Sequence, residues 1–413
     1  MYQSYKQKLL DRFLSYVSIP SQSNTNDQTL PSSEGQMQLA LLLEQELQKM
    51  GLCHIKLREN AILTAQLPAT KKNIPSVGFI AHLDTVDVGL SPVINPQVLY
   101  FNGQDVLLNK EKNIVFKVDE HPEILSYKED YIIFTDGTSV LGADNKAAIA
   151  TIMTMLEYFI QEKHDHGDIW VAFLPDEEIG LRGAWALDLS EFPVKFAYTI
   201  DCCELGEVVF ETFNAASAVI KIQGISAHPM SAKDVMVNPV LVAHDFIAQF
   251  DKRDTPECTE NREGYIWVYS VKADSSAAEV ILSIRDFDNN ILESRKLMVQ
   301  KAVDEVRKLY PKAKIEYKIN NIYSNIANSL IDTMPVELLY QACQNLNIPI
   351  NIISMRGGTD GSALSAKGLP TPNYFTGAHN FHSIYEFLPL KSFEYSWLTT
   401  LEIIKILATT TND

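Results

Sequence analysis

Four short apolar runs constrain the fold of this chain more than any other feature of its sequence. We interpret each of them as a buried strand; they cover residues 77–81, 131–134, 168–174 and 196–200. A helical pattern over about 145–162 lies between the second run and the third. This alternation of strands and helices predicts an α/β domain with a mixed, mostly parallel sheet that is flanked by helices.

The pattern changes near residue 213, where apolar and polar residues begin to alternate as they do in half-exposed strands. Two helical stretches, about 238–252 and 291–310, accompany these strands and predict a smaller α+β domain. The chain then returns to helix–strand alternation. The expected domains are a catalytic domain in two pieces and one inserted domain: residues 1–212 with 326–413, and residues 213–325.

Composition excludes several classes of function. The 35 Lys and Arg against 52 Asp and Glu give a net charge of −17, which argues against a nucleic-acid partner because phosphate contacts need clustered basic residues. No stretch of ~18 uncharged apolar residues predicts a membrane span, and the N-terminus does not resemble a signal peptide. The five cysteines are too scattered for a disulfide framework. We therefore expect a cytoplasmic protein.

Acidic residues and histidines follow the apolar runs at several points. His82 and Asp84 come directly after the first run. Taken alone, this pair fits a surface or capping role, but a histidine that binds metal usually has a carboxylate to orient it. Asp144 stands where a loop meets a predicted helix, so its carboxylate could cap the helix or bridge two metals.

Three adjacent acids, Asp176, Glu177 and Glu178, follow the third run. They repel one another unless a cation neutralises them, and a solvated turn is hard to reconcile with so apolar a strand before it. Asp201 follows the fourth run, and the segment FTGAHNFHSIYEF adds three candidates: His379, His382 and Glu386. Because α/β sheets bind ligands at the ends of their strands, this set predicts a zinc-type site with open coordination positions.

Nine sequence motifs, taken in their order along the chain, resemble those of the peptidase T family. The members of this family are tripeptide aminopeptidases and belong to a larger group of di-zinc hydrolases that includes aminoacylases and glutamate carboxypeptidases. The matching motifs are FIAHLDT, TDGTSVLGADNKA, PDEEIG, AYTIDCCELGEV, FETFNAASA, GISAHPMSAKDVMVN, IRDFD, MRGGTDGSALSAKGLPTPNYFTG and HNFHSIYEF. The resemblance implies a zinc-exopeptidase-like catalytic domain with an inserted lid or dimerisation domain. It also implies two divalent metal ions per chain, with zinc expected, and a short peptide, typically a tripeptide, as substrate.

The resemblance also implies a role for each matched residue of the catalytic domain. Asp144 would bridge the two metal ions, and each ion would have two further ligands: His82 and Asp201 on one, Glu178 and His382 on the other. Glu177 would be the general base that acts on the water between the metals, and Asp84 would orient the histidine two residues before it. His382 is preferred to His379 because HSIYE matches the family's ligand motif.

In the inserted domain, the resemblance implies that His228 polarises the scissile carbonyl oxygen, reaching into the site of a partner subunit. A homodimer through this domain is therefore expected. Arg285 and Arg356 would bind the carboxylate of the substrate, since a guanidinium is a planar bidentate donor. Asn238 is a further candidate for a substrate contact.

Three features depart from the family pattern. Asn145 stands where the family usually has Asp, and the segment IGLRGA is one residue longer than usual. Cys202 and Cys203 replace two glycines next to a metal ligand, so the shape of the pocket and the length of the substrate could differ.

Two other functions remain open on the sequence. The same metal core could serve an amidase or deacylase of N-acyl or otherwise modified amino acids or dipeptides. The fold could also serve a non-catalytic binding protein, although an inactive relative would be expected to lose a ligand or Glu177. Nor does the sequence fix the metal, because histidine and carboxylate ligands accept zinc, cobalt or manganese.

Overall fold

The computed structural model describes residues 2–409, which form nine α-helices and seventeen strands. The helices, α1 to α9 in chain order, are Tyr2–Val17, Glu34–Met50, Ala143–Glu162, Arg182–Ala186, Pro239–Ile247, Asn289–Leu309, Met334–Asn345, Asp360–Ala366 and Leu390–Thr409. The strands, β1 to β17, are Cys53–Leu57, Leu63–Leu67, Val77–His82, Gln97–Phe101, Val106–Asn109, Ile114–Phe116, Asp130–Phe134, Ile169–Leu174, Phe196–Cys202, Glu207–Thr212, Asn214–Gln223, Tyr265–Ala273, Ala277–Asp286, Lys314–Tyr323, Asn351–Met355, Asn373–Phe375 and Phe387–Pro389. None of these nine helices has both the length and the apolar character that crossing a membrane requires.

The chain divides into two compact units. The first unit comprises Met1–Phe210, Ser329–Ile353 and Thr359–Asp413, and the second comprises Glu211–Asn328 and Ser354–Gly358. The domains expected from the sequence, residues 1–212 with 326–413 and residues 213–325, stay a prediction.

The first unit is built on an eight-stranded sheet with the strand order β1-β2-β8-β3-β9-β16-β10-β15. Its centre is parallel, because β8, β3, β9 and β16 run in the same direction, whereas β1, β2 and β10 pair antiparallel with their neighbours. Every residue of β3 and of β8 is buried, as is typical of parallel strands that are covered on both faces. The α/β fold class with a mostly parallel sheet, expected from the sequence, is confirmed.

The alternation of strands and helices had suggested that the apolar run at 131–134 belongs to this sheet. It does not. It forms β7, which pairs antiparallel with β4 and β17 in a separate three-stranded sheet. A parallel neighbour would need a long crossover, usually a helix, and no α-helix lies between β3 and β7. Two of its side chains, Ile132 and Phe134, instead belong to a small separate core with Phe101, Phe116 and Phe387, while Tyr131 is exposed.

The second unit contains a four-stranded antiparallel sheet in the order β12-β13-β11-β14. Its strands alternate as the sequence indicated, with Ile220 and Ile222 buried and Lys221 and Gln223 exposed. The helices α5 and α6 pack against the buried face and complete one apolar core. The smaller α+β fold of the inserted segment is therefore also confirmed.

Candidate metal centre

The parallel strands bring polar side chains to one edge of the sheet. The strands β8, β3 and β9 are neighbours in that order; β3 ends at His82, β8 ends three residues before Glu177, and β9 carries Asp201 next to its last residue. Because the carboxyl ends of parallel strands meet at the same edge, residues far apart in sequence converge there. Asp144 joins them from the loop that opens α3.

Asp144 lies between two histidines and faces each of them with a different oxygen. Its Oδ1 is 2.9 Å from His82 Nε2, and its Oδ2 is 3.0 Å from His382 Nε2. Asp201 Oδ1 lies 3.7 Å from His82 Nε2, and Glu178 Oε1 lies 2.9 Å from His382 Nε2. The five side chains thus form two adjacent groups, each with one imidazole and one carboxylate, that share the carboxylate of Asp144.

This donor set fits divalent cations. One ligand atom each from His82, Asp144 and Glu178 lies within 4.8 Å of the other two, and imidazole nitrogen with carboxylate oxygen is a common ligand set for zinc and similar metals. Burial, together with the nearby charge of Asp144, raises the pKa of Glu178 to about 7 and that of Asp201 to about 6. A bound cation would relieve this crowding of negative charge.

Asp144 does not cap the helix that it opens. The cap position belongs to Gly142, and Asp144 itself has non-helical backbone angles, φ −82° and ψ 97°. The next residue, Asn145, donates its side-chain amide to Asp201 Oδ1 at 2.5 Å and to the carbonyl of Ile200 at 2.9 Å. An ionised Asp at this position could only accept hydrogen bonds, so Asn145 holds Asp201 in a way that the usual family residue could not.

Asp84 is buried and orients its neighbours through both its backbone and its side chain. Its carbonyl oxygen is 3.0 Å from His82 Nδ1, while its carboxylate lies further from that atom, at 3.4 Å. The carboxylate accepts the backbone N–H groups of Glu177 at 2.9 Å and of Glu178 at 3.1 Å. Asp84 therefore fixes the ring of the histidine and also the backbone that carries the two acids.

Asp176, the first of the three adjacent acids, belongs to a different network. Its carboxylate accepts hydrogen bonds from Ser32 and Gln36 and forms an ion pair with Arg182 at 3.0 Å. The residue has a positive φ of 56°, and its charge is neutralised by that ion pair. The sequence analysis expected a cation beside these adjacent acids, and for Asp176 this cation is the guanidinium of Arg182.

His379, the alternative to His382, serves the packing of the loop. Its Nε2 is 2.6 Å from the hydroxyl of Tyr127, and its ring stacks on Phe387 with centroids 4.7 Å apart. Burial lowers the pKa of His379 to about 4. The ring is therefore committed to the core and does not face Asp144.

Glu386 is a site residue to which the sequence analysis gave no role. Its buried carboxylate accepts the backbone N–H groups of Leu141 at 2.6 Å, Gly142 at 3.0 Å and Asp144 at 3.3 Å. It connects the segment that carries His382 to the loop that carries the shared carboxylate. The only sequence signal was its position four residues after that histidine, in HSIYE.

The other four candidates lie in the second unit, where each has local contacts. His228 is exposed, and its Nδ1 accepts the backbone N–H of Met230 at 3.2 Å, which in the neutral ring leaves the proton on Nε2. Asn238 caps α5, because its Oδ1 accepts the N–H of Val240 at 3.0 Å. A substrate contact by Asn238 stays a prediction.

Arg285 and Arg356 differ from the other arginines in having no acidic partner. Among the nine arginines, all of which are described, the other seven lie within 4.0 Å of a carboxylate. Arg285 donates to the carbonyls of Ala216 and Ile284, both at 3.0 Å, and Arg356 donates to Glu263 O at 2.5 Å. Neither positive charge is balanced by a carboxylate, and binding of the substrate carboxylate by these two arginines stays a prediction.

An α/β domain with imidazoles and carboxylates gathered around one shared carboxylate has the donor set that metal-dependent hydrolases use. Residues 142–405 match the model of peptidase family M20/M25/M40, and the chain belongs to this family. The chain is therefore a peptidase, and the sequence resemblance is confirmed.

Relatives and solved structures agree with this membership. A peptidase T-like protein of Yersinia pestis is 54% identical over 398 residues, which cover 96% of this chain and 97% of that protein. Peptidase T of Bacillus licheniformis is 41% identical over 405 residues, 97% of this chain and 98% of that protein. The crystal structure of aminopeptidase PepT from Bacillus cereus has the same fold, with a TM-score of 0.77 at 21% identity over 98% of this chain and 99% of that one.

Proposed function

We propose that this peptidase is a di-zinc tripeptide aminopeptidase, which releases the N-terminal residue from short peptides. The observation that carries the proposal is the position of Asp144, whose two carboxylate oxygens face the two histidines separately. The names of the peptidase T relatives support the substrate class, because they match this chain over nearly its whole length.

Two divalent ions would be held by the residues that surround this carboxylate. His82 and Asp201 would bind one ion, Glu178 and His382 the other, and Asp144 both. Such a pair of ions, when bound, polarises a carbonyl oxygen and lowers the pKa of a water molecule to near neutrality. Zinc is the proposed metal because it suits imidazole and carboxylate ligands, although cobalt and manganese accept the same set.

Glu177 is the proposed general base. Its backbone is fixed by Asp84, its side chain is half-buried beside the ligands, and burial raises its pKa well above the ordinary value of a glutamate. A carboxylate with a raised pKa is a better proton acceptor. Glu177 would take a proton from the attacking water and deliver it to the nitrogen of the leaving amine.

The second unit would supply substrate recognition. His228 carries its proton on Nε2 when neutral, so this atom would donate a hydrogen bond to the scissile carbonyl oxygen. Arg285 and Arg356 would bind the carboxylate of the peptide. Because bidentate pairing is specific to the guanidinium, Arg356→Lys should raise KM for tripeptides and leave kcat less affected.

A homodimer through this unit is part of the proposal. Large apolar side chains are exposed close to His228 along the chain, with Met230 90% and Leu241 54% exposed. Clustered exposed apolar residues mark interaction surfaces, and a partner subunit would cover them. Sedimentation of the purified chain should give twice the monomer mass of 46.4 kDa; a monomer with full activity would contradict it.

An amidase or deacylase of modified amino acids is the second candidate. The chain is 54% identical to a peptidase T-like protein but 41% identical to peptidase T of Bacillus licheniformis. Cys203 stands where the family has glycine, and its thiol interacts electrostatically with the carboxylates of Asp144 and Asp201. The pocket beside the metals can therefore differ in shape from that of peptidase T.

A substrate panel combined with metal analysis tests the proposal. Unblocked tripeptides, dipeptides and N-acyl amino acids are offered to the metal-loaded enzyme, and the released products are identified. Release of the free N-terminal residue from a tripeptide is the expected result. Activity confined to acylated substrates would favour the second candidate and overturn the first.

A further inference from the structure

Asp360 is a buried acid that neither the catalytic proposal nor the fold uses. It is the first residue of α8, only 2% exposed, and neither of its carboxylate oxygens accepts a hydrogen bond from any residue in 2–409. It does not cap its helix, because the hydroxyl of Thr359 accepts the N–H of Gly361 in that role. Burying a polar group without a hydrogen-bond partner costs free energy. We therefore expect this carboxylate to bind a ligand.

The described part of the chain offers Asp360 no cation. No lysine or arginine within 2–409 lies in ion-pair range of it, and the buried Lys146 donates instead to the carbonyl of Ile19 at 2.7 Å. Its electrostatic neighbours are the residues of the candidate metal centre: His82, Asp84, Glu177, Glu178 and Asp201.

The other acids beside the centre already have an assigned role or a hydrogen-bond partner. Glu178, Asp201 and Asp144 are the implied ligands, and Glu177 is the proposed base. The rest are occupied by hydrogen bonds or an ion pair within the first unit: Asp84 with two backbone amides, Glu386 with three, and Asp176 with Arg182.

An aminopeptidase must distinguish a free amino terminus from a blocked one, and this requires an anionic acceptor near the scissile bond. We propose that Asp360 binds the α-ammonium group of the substrate's N-terminal residue. The inference rests on the proposed function and names the residue that makes a free amine a requirement. A charge-assisted hydrogen bond in a site shielded from water is strong, so this contact would discriminate against acylated substrates, whose nitrogen carries no charge.

Binding of two matched ligands tests the assignment without depending on turnover. Leucine hydroxamate carries the ammonium group, and 4-methylpentanohydroxamate lacks it while keeping the same side chain and metal-binding group. Calorimetry gives the ratio of their Kd values for the metal-loaded wild type, Asp360→Asn and Asp360→Glu. Asp176→Asn is the matched control, because it removes a buried acid of the same region that is already paired with Arg182.

We expect the preference for leucine hydroxamate to fall roughly 10- to 100-fold in Asp360→Asn, the size of a hydrogen bond to a charged group. Asp360→Glu should keep part of the preference, and Asp176→Asn should keep all of it. Equal weakening of both ligands in Asp360→Asn would show a role in positioning the centre and would overturn the inference, as would an unchanged ratio.

A crystal structure of the wild type with leucine hydroxamate provides a test that needs no variant. The amine nitrogen should lie within hydrogen-bond distance of an Asp360 oxygen, and an amine bound elsewhere would overturn the inference. Failure of the wider proposal gives a different result, namely a wild type that hydrolyses no tripeptide. An active tripeptidase with an unchanged ratio in Asp360→Asn would remove this inference alone.

Discussion

The two units of the molecule carry their candidate residues in different ways. In the first unit, five implied ligands from distant parts of the chain converge around Asp144, with His82 and His382 each about 3 Å from one of its oxygens. In the second unit, His228, Arg285 and Arg356 contact mainly backbone groups of their own neighbourhood. The difference teaches that sheet topology brings the candidate metal ligands together, whereas the candidate substrate-binding groups are held by contacts with nearby residues.

The largest effect is expected from the residue on which the first unit depends. Asp144→Ala removes the one ligand that both metal positions share, so metal content should fall steeply and turnover should drop to background. Metal analysis of the purified variant, with peptide hydrolysis measured in parallel, checks this result. Asp176→Asn, an acid outside the ligand group, should retain its metal; an Asp144→Ala enzyme with normal metal content would break the comparison at its strongest point.

Glu177→Ala should separate chemistry from metal binding within the same unit. Loss of a general base lowers kcat by about 10²- to 10⁴-fold, while the ligands remain and metal content should stay close to that of the wild type. Steady-state kinetics and metal analysis on one preparation measure both quantities. Turnover like that of the wild type would remove Glu177 from the proposed mechanism.

His228→Ala tests whether the second unit contributes a hydrogen-bond donor to catalysis. The loss of one hydrogen-bond donor to a developing oxyanion lowers kcat by about 10²- to 10³-fold, and we expect metal content to be unaffected. His244→Ala is a matched control, because this histidine is also exposed in the same unit and its side chain pairs with Asp245. Equal kcat values for the two variants would mean that the second unit contributes no catalytic donor through His228.

The smallest effect is expected from Glu386→Gln, which loosens the first unit without removing a ligand. The variant replaces one oxygen that accepts backbone N–H groups with an NH₂ group, so the loop that holds Asp144 loses a partner. Changes of this kind beside a metal weaken its binding by about 10- to 100-fold. Titration of the metal-free chain measures the affinity; unchanged affinity would show that the loop holds its position without Glu386.

Sequence patterns predicted most of the first unit because burial and strand period are local signals. The apolar run at 77–81 became β3, and the helical pattern over about 145–162 became α3, Ala143–Glu162. The ligand assignments came from the resemblance, and they are consistent with the convergence of these side chains. Their roles stay predictions until metal and variants are measured.

What the sequence did not reveal depends on contacts across long separations. The partners of Asp176 lie about 140 residues earlier in the chain, in Ser32 and Gln36. The three amides that bind Glu386 lie more than 240 residues before it. The run at 131–134 was assigned to the wrong sheet because a local pattern predicts a strand but not its neighbours.

The most direct test of the central claim is the number of metal ions that the chain binds at full activity. Metal-free protein is titrated with zinc, and bound metal and tripeptide hydrolysis are measured on the same samples. The shared position of Asp144 predicts that activity reaches its maximum as two ions bind per chain. Full activity with a single bound ion would contradict the bridged centre.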